Sequence, residues 1–188
     1  MDEEQNDSGN LKFMKTITVV FSKATTWFAP FSWAIMASEG TPYSHVAIKV
    51  VDDTTGLPVY YQASHTFVNA MIEAEFLAAE KIIYSFDFNV DPAIDKDAKT
   101  FAESKLGVPY GTIGCLGLAL VQMAAFVGWK IHNPFRTVGD TYWCSAFVAA
   151  LLENANCLQS KEILDDLTPK DLYPLIKSLP PVWGQSNT

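Results

Sequence analysis

The chain has too few basic residues for a typical nucleic-acid binder. Its 13 Lys and Arg residues stand against 21 Asp and Glu residues, which gives a formal net charge of −8 at pH 7. The basic residues are scattered, with no two adjacent, so no cluster supplies the electrostatic attraction on which phosphate-backbone binding depends. We therefore expect no nucleic-acid partner.

Cysteine is also scarce. The three cysteines, Cys115, Cys144 and Cys157, form an odd set without CxxC spacing. This pattern argues against a disulfide framework and against a zinc site, and it fits reduced thiols in a reducing compartment. No cluster of residues has the spacing of metal ligands, so we expect neither a metal nor another cofactor.

The first ten residues, MDEEQNDSGN, lack the basic and apolar regions of a signal peptide. We expect a disordered acidic tail over 1–10 and a cytoplasmic or particle-associated protein. The remaining chain is rich enough in apolar residues, at 49% of the sequence, to bury the core of one domain. That domain is predicted to span 11–180, with a flexible tail over 181–188.

One long apolar run complicates this description. Residues 112–129, TIGCLGLALVQMAAFVGW, carry no charge over eighteen positions, which is the lower limit for crossing a bilayer. Three glycines and Gln122 weaken a membrane span. The alternative is a buried or lipid-facing helix in a globular domain, and the run is then a surface for membrane or partner contact.

Local patterns predict an α+β protein. Segments rich in β-branched and aromatic residues predict strands over 11–23, 44–53, 59–64 and 81–90. Capping residues and apolar spacing predict helices over 25–40, 91–107, 144–156 and around 169–178, with a short helix or irregular segment over 68–81. The strands gather early and the helices flank them, which predicts a small antiparallel sheet packed against helices.

Cys144 is the first candidate for chemistry. It stands at the predicted start of the helix CSAFVAALLE, where free backbone N–H groups and the helix dipole favour a thiolate. Apolar residues follow at helical spacing, so the helix would hold the sulfur against the core. The alternative is a buried, inert core thiol, because cysteine is among the most buried residue types. Cys115, within the apolar run, and Cys157, past a helix end, are interpreted in this second way.

A thiolate nucleophile needs a base, and the chain has three histidines. His45 lies at the start of a predicted strand, where the backbone holds an imidazole at the rim of a sheet. His65 lies beyond the end of the next predicted strand, and His132 lies in the predicted loop 130–140. His45 is the candidate base, and a histidine satisfied by local hydrogen bonds is the alternative.

Five short motifs occur in one order: YSHVAI, VYYQAS, LGVPYG, WCSAFVAALL and LTPKDLY. Together they resemble the permuted NlpC/P60 group of papain-like thiol hydrolases, which includes YiiX/YaeF-like amidases and is related to lecithin retinol acyltransferase-like enzymes. Ordinary NlpC/P60 domains carry the cysteine before the histidine. Here the histidine motif precedes the cysteine motif by about a hundred residues, which is the permuted order. The resemblance covers roughly residues 14–175 and implies a circularly permuted papain-like fold.

The resemblance implies a role for each matching residue. Cys144 matches the nucleophile, His45 the general base, and Gln62 the polar third residue that orients the imidazole, where many relatives carry a glutamate. His65 is the alternative third residue, by analogy with relatives that use two histidines. Tyr110 matches a tyrosine whose hydroxyl assists the oxyanion in the family, although it is equally consistent with a structural tyrosine after a helix end.

These roles imply a cysteine hydrolase, an amidase, peptidase or acyl ester hydrolase that works through an acyl-enzyme. The substrate contains an amide or ester and is a peptide or a lipid; a lipid acyltransferase is a further alternative. A different class of function is a degenerate papain-like domain that serves as a binding or structural subunit, for example of a larger particle such as a virion. Glutamine at position 62 favours that class slightly, and retention of Cys144 and His45 argues against it.

Overall fold

The computed structural model describes residues 14–25, 30–64, 66–111, 124, 128–129, 131, 141–158 and 167–183. Over these ranges the chain forms six strands and five helices. The α+β class predicted from the sequence is therefore confirmed. The predicted acidic tail, 1–10, lies outside the described residues.

All six strands belong to one sheet. They are β1 (Lys15–Ala24), β2 (His45–Val51), β3 (Pro58–Ser64), β4 (Phe67–Ile72), β5 (Glu80–Val90) and β6 (Val182–Trp183). Across the sheet their order is β4-β3-β2-β1-β5-β6. The pairs from β4 to β5 are antiparallel, but β6 runs parallel to β5. The prediction of an antiparallel sheet is wrong at this edge, because β6 returns after a helical crossover, the connection that parallel pairing requires.

Five helices accompany the sheet: α1 (Pro30–Glu39), α2 (Glu73–Ala79), α3 (Pro92–Ser104), α4 (Cys144–Asn154) and α5 (Pro169–Ser178). The sequence marks several of their starts. Asp91 caps α3 by accepting a hydrogen bond from the backbone N–H of Ala93. Thr168 and Asp171 form a capping box at the start of α5. Proline follows both capping residues at the first helical position, where its fixed φ suits a helix and its missing N–H has no partner to lose.

Strand β1 is buried on both of its faces, which divides the apolar residues into two cores. Ile17, Val19 and Phe21 alternate toward the larger core, together with residues of α3, α4 and α5. Val20 points the other way, into a smaller core that Phe76 of α2 completes. Because successive side chains of a strand point to opposite faces, the sheet lies between α2 on one side and α3, α4 and α5 on the other.

Strand β4 differs from the sequence-based prediction. The sequence predicts a short helix or irregular segment over 68–81, but only the second part of this segment, α2, is helical. The first part forms an edge strand that pairs along β3 from Phe67 opposite Ser64 to Ile72 opposite Val59. Ala70 and Met71 favour helix on their own, so pairing with β3 overrides the local preference.

The folded chain continues past the predicted boundary at residue 180. Val182 and Trp183 pair with Asn89 and Val90 of β5. The indole ring of Trp183 is buried and stacks on Phe88, with ring centroids 4.3 Å apart. The expectation of a flexible tail over 181–188 is therefore wrong for its first three residues, because this aromatic contact holds them to the sheet.

The apolar run 112–129 falls largely outside the described residues. Three of its positions are described: Ala124, which is helical and buried, Gly128, and Trp129, which is 69% exposed. Within the described part of the chain, no helix is long and apolar enough to cross a membrane. The expected helical surface over this run stays a prediction.

The smaller core supplies a test of how α2 is held. Phe76→Ala is expected to lower the free energy of unfolding by about 3–5 kcal/mol. The reason is that the Phe76 ring is fully buried and stacks on Tyr60 at 4.1 Å between centroids. Chemical denaturation measures the loss.

Leu77→Ala is the matched control. The side chain is next in sequence but 48% exposed, so its removal is expected to change the free energy of unfolding by less than ~1 kcal/mol. Equal losses from the two variants would contradict the packing of α2 through Phe76.

Candidate active site

Cys144 is the first residue of α4, as the sequence predicts. Trp143 precedes the helix in an extended conformation, and its side chain makes no capping hydrogen bond. The first N–H groups of an α-helix have no acceptor within the helix and carry the positive end of its dipole. Cys144 thus stands beside backbone donors that can stabilise negative charge.

Two hydrogen bonds hold the start of α4 from behind. The indole N–H of Trp143 and the hydroxyl of Ser145 both donate to the backbone carbonyl of Leu167, at 3.0 Å and 2.6 Å. All three residues are buried. Leu167 directly precedes Thr168, which caps α5. The residues on either side of Cys144 are therefore fixed to the start of a second helix.

His45 is the first residue of β2 and points toward Gln62 of β3. Its Nε2 donates to Oε1 of Gln62 at 2.6 Å. The hydrogen bond predicted between these two side chains is present. His65, the alternative third residue, lies outside the described residues, as does His132.

Met71 of β4 determines which way the Gln62 amide faces. The amide nitrogen Nε2 of Gln62 donates to the Met71 sulfur at 2.8 Å, which leaves the oxygen toward His45. An amide oxygen only accepts, so Nε2 of His45 carries a proton. The other ring nitrogen, Nδ1, is then the one that can gain or lose a proton. Met71 could not be recognised from the sequence, because its position depends on pairing between β3 and β4.

The pKa of His45 is raised to about 9 by its neighbours. Burial of the ring lowers the pKa, because a less polar environment disfavours the charged imidazolium. The Cys144 side chain raises the pKa by more than burial lowers it when its effect is joined by those of Glu80 and Gln62. The shift in the pKa of His45 therefore indicates that Cys144 and the imidazole interact, and the catalytic pairing implied by the two motifs stays a prediction.

Cys144 is almost fully buried, with only 3% of its surface exposed. The reason is the packing of α4, in which eight of the eleven residues are buried, including the first. His45 keeps a partly exposed surface, so it is the more accessible member of the pair.

The other two cysteines differ in what the structure describes. Cys157 is a free thiol in the larger core, and burial raises its pKa to about 12. Such a thiol is inert at neutral pH, as its position past a helix end suggested. Cys115 lies outside the described residues.

Tyr110 lies beside the segment that leads into α4. It forms a β-bridge with Tyr142, and the backbone N–H of Gly111 donates to the Tyr142 carbonyl at 2.9 Å. A Cβ atom on Gly111 would approach the Trp143 ring to 3.3 Å, so glycine permits this close contact. The turn that carries Tyr110 is thus attached to Tyr142, which lies two residues before Cys144 in the chain. A role of the Tyr110 hydroxyl in stabilising the oxyanion stays a prediction.

Two aspartates away from the candidate site, Asp53 and Asp95, form ion pairs with lysine. Asp53 is paired with Lys15 at 2.8 Å and with Lys99 at 3.0 Å, and Lys99 also reaches Asp95 at 2.6 Å. Among the described residues, no group of three His, Cys, Asp or Glu side chains is placed to hold a metal ion.

The raised pKa of His45 can be measured directly. In the folded protein the imidazole is expected to titrate near pH 9, against about 6.5 for a free histidine. Nuclear magnetic resonance of protein labelled in histidine gives this midpoint, and His45→Gln identifies the signal by its loss. Cys144→Ala is expected to move the midpoint to lower pH, because it removes the two largest causes that raise it. An unchanged midpoint in Cys144→Ala would contradict the contact.

The same shift predicts a dependence of stability on pH. Because the pKa of His45 is higher in the folded chain than in the unfolded chain, its protonation stabilises the fold. This contribution is fully present below pH ~6.5 and is lost as the pH rises through about 9. Denaturation at pH 6.5 and 9.5 is expected to show a larger loss in the wild type than in His45→Gln.

No family model matches the chain, and no curated protein matches it. The described chain has a cysteine at a helix start, a histidine at a strand start, and an amide that is hydrogen-bonded to the histidine.

Proposed function

We propose that the protein is a cysteine hydrolase with a permuted papain-like fold, in which Cys144 is the nucleophile and His45 the general base. The observation that carries the proposal is the hydrogen bond between His45 Nε2 and the Gln62 oxygen, and the effect of Cys144 on the pKa of His45 supports it. Papain-like proteases use a cysteine, a histidine and an amide side chain in these roles. Here the histidine and the amide precede the cysteine in the chain, in agreement with the permuted order.

The reaction follows from the positions of these groups. The Cys144 thiolate attacks the carbonyl carbon, a C–S bond forms, and the carbonyl oxygen becomes an oxyanion that N–H groups at the start of α4 stabilise. When the tetrahedral intermediate collapses, the bond to the leaving nitrogen or oxygen breaks, and the His45 imidazolium gives it a proton. Water then attacks the thioester, His45 takes its proton, and the acid and the thiolate are released.

The substrate class is an amide or ester of a peptide or lipid. Both bonds present the carbonyl that a thiolate attacks, and transfer of the acyl group to an acceptor other than water makes the enzyme an acyltransferase. The run 112–129 is the proposed contact for a lipid substrate or a partner, on the basis of its uncharged sequence. A peptide ester and a lipid ester distinguish the two classes in one assay.

A second candidate function is a papain-like domain that serves as a binding or structural subunit, for example of a larger particle. One observation favours it: Cys144 is 3% exposed, so a substrate carbonyl reaches the sulfur only if its surroundings move. This candidate predicts no acyl-enzyme with any ester, even at high enzyme concentration. Mass spectrometry of the intact protein after mixing with an activated ester detects a covalent acyl group on Cys144, which this candidate excludes.

The two described cysteines allow a sharp test of thiolate character. If exposure controlled the rate of alkylation, Cys157 would react first, since it is 9% exposed against 3% for Cys144. If thiolate character controls the rate, Cys144 reacts at least ~10-fold faster at pH 7, because the pKa of Cys157 is about 12. Brief iodoacetamide treatment followed by peptide mass spectrometry measures both rates in one sample.

Variants separate the proposed roles in that experiment. His45→Ala is expected to slow the labelling of Cys144 and leave that of Cys157 unchanged. Ester hydrolysis is expected to disappear in Cys144→Ala and to persist in Cys157→Ala. Faster labelling of Cys157 than of Cys144 would argue for the binding domain.

Gln62 provides a test of the third residue. Gln62→Leu is expected to lower kcat about 10-fold to 100-fold, because the imidazole loses the acceptor that fixes its tautomer. Gln62→Glu is expected to keep or raise activity, since a carboxylate accepts the same hydrogen bond and also stabilises the imidazolium. Initial rates with one activated ester compare the two variants, and complete loss of activity in Gln62→Glu would contradict the role.

A further inference from the structure

The third residue of the proposed site, Gln62, is neutral, whereas His45 becomes a cation when it is protonated. The Gln62 amide orients the His45 ring but carries no charge to balance an imidazolium. A charged histidine in a partly buried position is costly unless an anion lies nearby. Besides Cys144, Glu80 acts on His45 through its charge.

The register of the sheet brings Glu80 to this place. Ser22 of β1 lies directly opposite His45 of β2. The Ser22 hydroxyl donates to Oε2 of Glu80 at 2.9 Å, and Ser22 is fully buried. Residues paired across antiparallel strands point to the same face of the sheet, so the imidazole and the hydroxyl that holds the carboxylate lie on one face. Three neighbouring strands thus contribute Glu80, Ser22 and His45.

The backbone around Glu80 is fixed from two sides. Glu80 ends α2, and its N–H donates to the Phe76 carbonyl. Thr25, which follows β1, holds the two residues before Glu80. Its N–H donates to the Ala79 carbonyl at 2.9 Å, and its hydroxyl donates to the carbonyls of Ala78 and Ala79. The backbone that carries the Glu80 carboxylate is therefore held by hydrogen bonds at the junction between α2 and β5.

We propose that Glu80 is a positioning residue that supplies the negative charge for the His45 imidazolium, and that Ser22 holds its carboxylate in place. Gln62 and Glu80 then divide two tasks that a single carboxylate performs in an acid-containing triad: Gln62 fixes the tautomer and Glu80 balances the charge. The catalytic consequence rests on the proposed function, whereas the effect of Glu80 on His45 does not.

The charged and polar neighbours of His45 can be named element by element. Cys144 comes from α4, Gln62 from β3, Ser22 from β1, and Glu80 from the junction of α2 and β5. The interaction with Glu80 raises the pKa of His45, after the larger effects of burial, which lowers it, and of Cys144, which raises it. Removal of the Cys144 thiol therefore isolates what Glu80 does.

The test is a titration of His45 by nuclear magnetic resonance in the full chain carrying Cys144→Ala. In this background Glu80→Gln is expected to lower the pKa of His45 by about one unit, the low end of the effect of a nearby opposite charge. Glu75→Gln is the matched control, an exposed acid on the same helix, and it is expected to leave the pKa unchanged. No change with Glu80→Gln, or an equal change with both variants, would overturn the proposal.

Two further variants separate charge from structure. Glu80→Gln with Gln62→Glu moves the carboxylate from one partner of His45 to another and is expected to restore the pKa. A structural role of Glu80 in joining β1 to β5 predicts no such rescue. Ser22→Ala removes one oxygen and is expected to lower the pKa in the same direction by less than Glu80→Gln does. If Glu80→Gln does not fold, the pKa of His45 in Ser22→Ala is the measurement that decides. An unchanged pKa in that variant would overturn the proposal.

Activity with the thiol present tests the proposed function separately. In a wild-type background, Glu80→Gln is expected to shift the pH–rate profile of ester hydrolysis to lower pH by a similar amount, and Glu75→Gln is expected to leave it in place. A pKa that falls in Glu80→Gln, in a protein that hydrolyses no ester, would support the inference and contradict the hydrolase. If Glu80→Gln hydrolyses the ester with an unchanged pKa of His45 and an unchanged pH–rate profile, the result would support the hydrolase and contradict the inference about Glu80.

Discussion

The register of β1 against its two neighbours decides which groups meet at His45. Ser22 pairs with His45 on one side, and on the other side a shift in register between Phe21 and Ser22 changes the pairing with β5. This irregularity places Ser22 opposite Ile82 and brings Glu80 opposite Ala24. A strand shifted by one residue presents its other face, so an error in this register would move Ser22 away from His45 and Glu80 together.

Burial and charge act against each other in the same place. Burial alone disfavours an imidazolium, yet the pKa of His45 is raised to about 9 because Cys144, Glu80 and Gln62 outweigh it. Water is largely excluded from Cys144, so these interactions are weakened less by solvent than they would be at the surface. The cover that makes the thiol hard to reach is thus the same feature that strengthens its interaction with the histidine.

Much of the local structure was predictable from the sequence. The helix after Asp91-Pro92 and the helix after Thr168-Pro169 carry their caps in the sequence, and the aromatic and β-branched run over 81–90 is a strand. These signals act within a few residues, which is why they can be recognised without the fold. Strand β4 was missed because its residues favour helix until they pair with β3, and β6 was missed because two residues carry too little pattern.

The sequence by itself determined that a cysteine begins a helix, that a histidine begins a strand, and that the histidine motif precedes the cysteine motif. Only the tertiary structure decided what surrounds them: that Met71 accepts a hydrogen bond from the Gln62 amide, that the Ser22 hydroxyl, opposite His45, holds the Glu80 carboxylate, and that Cys144 is buried. The physical reason is distance along the chain. Capping and strand propensity are properties of neighbouring residues, whereas these contacts join strands and helices whose register depends on the packing of the whole sheet.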